Sequence, residues 1–152
     1  MSVISTGTSL FRNALLVECV ANIVGGTGFL LAPEQILSMM THQSAPITPL
    51  STSLLQWMGA LVLALTTPLA LSYPNTAAGV GSRATTYWTL GLGEVFLISL
   101  MGFQQLSGRS PFTGRFVVGA IAVLSPTLAW RVWCLVYRPE WMGSVREDRK
   151  TA

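Results

Sequence analysis

The chain has 152 residues, 51% hydrophobic and only 10% charged, with a formal net charge of +3 and a mean hydropathy of +0.55. Soluble domains are about 25% charged, so the composition argues against a soluble globular protein. No basic stripe with interleaved aromatics is present, which argues against nucleic-acid binding.

Residues 1–9 are short and polar. The first apolar run covers 10–31 and follows Arg12 closely, as in a signal peptide. It carries Glu18 and Asn22, lacks a small-residue cleavage pattern and is followed by further apolar runs, so it reads as an uncleaved first span. Pro33 ends it, because the residue before a proline is pushed out of the α region. Residues 33–53 form the longest loop, with a short interfacial helix over 34–40 that Pro33 starts from its first position. The second span covers 54–73, with Pro68 inside it. Residues 75–84 read as a turn containing Arg83. The third span covers 85–106 and the fourth 115–137, with Pro126 near its centre. Residues 138–152 form a charged tail outside the membrane. The fold class is therefore all-α: an integral membrane antiparallel four-helix bundle, one domain over 1–152.

Loop arginines and lysines set the orientation. Arg12, Arg83, Arg138, Arg146, Arg149 and Lys150 fall on one side, Arg109 and Arg115 on the other. Six against two predicts both termini in the cytosol.

Chemistry in such a chain comes from polar residues inside the spans, where charge is costly. Glu18 and Asn22 are four residues apart and share a helix face. Gly25, Gly26 and Gly28 follow and would let a neighbouring helix approach closely. Tyr87, Gly91 and Glu94 share a face of the third span. Arg131 lies in the fourth, between Trp130 and Trp133. At 1.5 Å per residue, Glu18 lies about 8–12 Å and Arg131 about 9 Å from the cytosolic side, while Glu94 is about 14 Å in. Matching depth predicts a Glu18–Arg131 ion pair, since an arginine stays charged and needs an anion. Glu94 is then a protonated acid or a second partner of Arg131. A plain structural role, locking helices together, stands beside both assignments. Trp57, Trp88, Trp133 and Trp141 fit an interfacial aromatic belt, and the deeper Trp130 fits a pocket wall. Cys19 and Cys134 lie in spans without a CxxC pattern or a nearby histidine, so neither a disulfide framework nor a metal site is expected.

The strings ALLVECVANIVGG, LLQWMGALVLALTTPLALSYPNT and YWTLGLGEVFLISLM resemble small four-span fungal membrane proteins, some of them in natural-product gene clusters. In mechanism, the intramembrane carboxylates and aromatics are similar in kind to those of fungal membrane-bound terpene cyclases and sterol isomerases. The cyclases have more spans, and the isomerases bring a histidine that these spans lack. Length and topology resemble the small four-span scaffold of ergosterol synthesis in the endoplasmic reticulum.

The favoured reading is an enzyme: a cofactor-independent cyclase or isomerase of a lipophilic terpenoid or polyketide-derived metabolite. Glu94 is its general acid, Glu18 and Arg131 tune it or serve as base, and Asn22, Tyr87 and Trp130 line the substrate pocket. No metal or cofactor is expected. The expected partners are a lipophilic substrate, membrane lipid, a second copy or pathway enzymes, with no nucleic acid. The alternative is a non-catalytic scaffold in the endoplasmic reticulum membrane for lipid or secondary-metabolite enzymes.

Overall fold

The computed structural model describes residues 6–143. Five α-helices follow in order: α1 (Thr6–Leu31), α2 (Pro33–Met40), α3 (Pro49–Ser72), α4 (Ala77–Leu106) and α5 (Gly114–Val132). The backbone of α5 continues as a π-helical turn, Trp133–Tyr137, and then a 3-10 turn, Pro139–Met142. Four helical stretches are long and apolar enough to cross a membrane: Gly7–Leu31, Pro49–Ser72, Ala77–Leu106 and Gly114–Tyr137. This is the expected integral membrane four-helix bundle. Its outward faces carry exposed large apolar side chains such as Val17, Leu61, Phe96 and Val123, as lipid contact requires.

Three starts differ from the sequence expectation: α1 begins at Thr6, four residues before the expected span, and the starts of α3 and α4 differ for capping reasons. Helix α3 begins at Pro49, because the Thr48 side chain accepts from the Ser51 N–H at 3.2 Å while the Ser51 hydroxyl receives the Thr48 N–H at 2.9 Å. This reciprocal capping box satisfies two otherwise orphaned donors. Helix α4 begins at Ala77, because the Thr76 hydroxyl accepts from the Gly79 N–H at 3.1 Å. The expected turn over 75–84 is thus mostly helix. Short helix α2 starts at Pro33 as expected.

Helices α1 and α3 pack most intimately, through Gly26 and Gly59. A Cβ on Gly59 would come within 2.7 Å of the Gly26 carbonyl oxygen, so only glycine permits this approach. Gly28 faces the Ile36 side chain and Gly25 faces open space. Packing then runs from α3 to α4 and from α4 to α5, with no comparable packing of α1 on α5. The core lies in the half of the bundle that holds the termini: Phe11, Leu15, Cys19, Leu69, Tyr87, Cys134 and Met142.

Arg83 overturns the loop assignment. It is fully buried in α4. Its Nε donates to Ser72 O at 2.8 Å, its Nη1 to Met142 O at 2.6 Å, and its Nη2 to Tyr73 O, Pro74 O and Asn75 Oδ1 at 3.2, 3.2 and 2.7 Å. One guanidinium therefore satisfies the carbonyls left open at the end of α3 and fastens the 3-10 turn to them. Trp141 is also not a belt residue: it stacks near Trp130 at 5.9 Å between centroids and packs directly over Gly7, where a Cβ would collide. Trp57, Trp88 and Trp133 are exposed, as a belt requires. The opposite end is held by an antiparallel bridge between Thr41 and Phe112. Residues 144–152 of the expected tail lie outside the described residues.

Candidate active site

Three helices contribute one charged side chain each to a single cluster. Arg131 of α5 is 4% exposed and Glu94 of α4 is 8% exposed. Arg131 Nε donates to both Glu94 oxygens at 3.1 Å. Arg131 Nη2 lies 2.9 Å from Glu18 Oε2 on α1. That contact is close enough for an ion pair, but its N–H is not aligned on the oxygen, and Oε2 has no aligned hydrogen bond. The sequence expectation of a Glu18–Arg131 pair is met. Glu94 takes the second option open to it and shares the same guanidinium.

Tyr87 stands behind this cluster, fully buried. Its hydroxyl donates to Glu18 Oε1 at 3.4 Å and accepts from Trp130 Nε1 at 3.2 Å. Its ring lies 4.9 Å from Arg131 Cζ and 4.9 Å from the Phe11 ring. Tyr87 and Arg131 thereby hold Glu18 from two sides, and Trp130 in turn holds the Tyr87 hydroxyl.

A groove of about 450 Å³ runs between α1 and α5, lined by Leu10, Asn13, Ala14, Val17, Glu18, Pro126, Thr127 and Trp130. It exists because these two helices do not pack directly on each other. It is wide open on the side that faces lipid. Glu18 reaches it with a side chain 14% exposed, and Trp130 forms a wall. A separate crevice of about 80 Å³ on the α4–α5 side is lined by Tyr87, Gly91, Leu128 and Arg131 among others. Glu94 lines neither opening. Asn22 is half-buried one turn beyond Glu18 on α1 and also lines neither. Of the expected pocket residues, the groove therefore takes Trp130 and Glu18; Tyr87 supports it from behind, and Asn22 stands apart. The sequence reading passed over Asn13, although a polar residue within an apolar run was the available signal.

Two carboxyls face one guanidinium. The cluster is electrically neutral only when one of the two carboxyls holds a proton, and low dielectric strongly favours neutrality. Cys19 and Cys134 are buried free thiols, and no group of three or more metal-ligating side chains forms among the described residues. Compared with protein-family models, curated proteins and solved structures, the chain finds no match in any of the three.

Proposed function

We propose that this chain is a membrane-embedded, cofactor-independent cyclase or isomerase of a lipophilic terpenoid or polyketide-derived metabolite, with an intramembrane carboxylic acid as proton donor. The observation that carries the proposal is the Glu18 carboxyl, held by Arg131 at the edge of an apolar groove open to the bilayer. The groove geometry favours Glu18 over Glu94 as the donor. Glu94 engages Arg131 Nε through both of its oxygens and lines neither the groove nor the α4–α5 crevice, so its part is to hold the cation in place.

The proton on the cluster passes from Glu18 to a double bond or oxygen of the substrate. The resulting cation closes a ring or shifts a double bond. A proton then leaves carbon and returns to the Glu18 carboxylate. The sum is an isomerisation, with no oxidant, reductant or water consumed. The Trp130 indole, on the groove wall, stabilises positive charge over its face. Substrate reaches the groove laterally from lipid. The resemblance to four-span proteins of natural-product clusters supports the substrate class. Residence in the endoplasmic reticulum with cytosolic termini belongs to the same proposal. With Arg83 buried and Arg12 set in α1, the bias is four basic residues, Arg138, Arg146, Arg149 and Lys150, against Arg109 and Arg115.

The test is untargeted metabolite profiling of a host lacking the chain, complemented with wild type, Glu18→Gln or Glu94→Gln, with membrane abundance matched. Glu18→Gln should reproduce the deletion profile, since a positioned general acid contributes about 100-fold or more. Glu94→Gln should retain turnover. A full wild-type profile from Glu18→Gln would remove the acid from the reaction and favour a scaffold that organises other enzymes.

A further inference from the structure

Asn13 lines the same groove as Glu18 and is exposed in it. It lies in the stretch Gly7–Leu31 that is apolar enough to cross the membrane, about 9 Å along the helix from Gly7. Its side chain makes no hydrogen bond within the described residues. A primary amide left unpaired among hydrocarbon is costly. Its groove neighbours Leu10, Ala14, Val17 and Pro126 are apolar, and the Thr127 hydroxyl gives its proton to Val123 O at 3.0 Å. Beside Glu18, Thr127 and the Trp130 indole, Asn13 is the polar side chain of this wall whose amide is uncommitted. It stands five residues from Glu18, about 7.5 Å of helical rise.

We infer that Asn13 binds a neutral hydroxyl or carbonyl group of the groove's ligand, at a point about 7.5 Å along the groove from the group that meets Glu18. The inference rests on the proposed function for the role of Glu18 and adds the substrate class: an apolar body bearing one neutral oxygen function. The amide can both donate and accept, so it complements either group. A carboxylate ligand is disfavoured, because the groove already borders the Glu18 carboxyl, which shares its one guanidinium with Glu94. Asn13 is accordingly a specificity-determining residue.

The experiment is equilibrium binding of labelled farnesol and of farnesene, its hydrocarbon counterpart, to the full chain in lipid nanodiscs, measured above protein-free discs. Wild type should bind the alcohol about tenfold tighter than the hydrocarbon, the worth of roughly one neutral hydrogen bond. Asn13→Leu should abolish that preference while leaving hydrocarbon binding unchanged, and Asn13→Gln should keep part of it. Equal affinity of wild type for both probes, no binding of either, or a preference that survives Asn13→Leu overturns the inference. The last outcome would mean that another group supplies the preference. No turnover enters this assay, so its failure is distinct from failure of the Glu18→Gln profile.

Discussion

Replacing Arg131 with methionine tests the geometry of the charged cluster most directly. Methionine keeps much of the buried aliphatic volume and removes only the guanidinium. In the wild type that group lies 2.9 Å from Glu18 Oε2 and 3.1 Å from Glu94 Oε2. Both carboxyls lose their cation in one step, and both are largely buried. Removing one partner of a buried ion pair costs about 3–5 kcal/mol, and here one carboxylate is stranded beside a second carboxyl. Arg131→Met should therefore destabilise the bundle by about 3–5 kcal/mol. Glu94→Gln removes the surplus carboxyl while its amide oxygen still accepts from Nε, so it should change stability by no more than about 1 kcal/mol. Adding Glu18→Gln and Glu94→Gln to Arg131→Met strips the cluster of charge and should recover most of the loss. The assay is reversible unfolding of the purified chain in mixed micelles by titration with a denaturing detergent, followed by far-ultraviolet circular dichroism. An Arg131→Met loss below about 1 kcal/mol, or a triple variant no better than the single one, would show that the cluster is solvated and refute the argument.

Arg83 should be as sensitive, through hydrogen bonding rather than ion pairing. Arg83→Lys keeps the charge but cannot span Ser72 O, Asn75 Oδ1 and Met142 O at once, so it should lower stability by about 2–3 kcal/mol in the same assay. Gly59→Ala places a methyl group 2.7 Å from the Gly26 carbonyl oxygen and should cost about 1–3 kcal/mol, readable as the same shift in unfolding midpoint.

The four spans and their order were legible because long apolar runs and prolines report lipid exposure without reference to partners. The Glu18–Arg131 pair was legible too, since helical rise alone puts both at one depth. Arg83 was not. Positive charge beside Pro74 and Asn75 reads as loop, and only the Thr76 cap shows that the helix has already started. Apart from Asn75 Oδ1, its real partners are backbone carbonyls, at 72, 73, 74 and 142, and leave no mark in sequence. That Glu18 and not Glu94 borders the groove was equally hidden. Both are carboxyls inside spans, and what separates them is which helix pair fails to close, a property of packing and not of either residue.

That unclosed pair has a mechanical consequence. Helices α1 and α5 are the first and last spans, so no loop joins them, whereas α3 to α4 and α4 to α5 are each tied by a short connection. Across the seam the fastening is the Glu18–Arg131 contact, with the Pro139–Met142 turn leaning on α1 at one end. Spreading the seam stretches no covalent segment. A bulky guest can thus part the first helix from the last by loosening the Glu18–Arg131 contact and the Tyr87–Glu18 hydrogen bond while the three other helix pairs stay packed. The seam is also where the Glu18 carboxyl borders the groove.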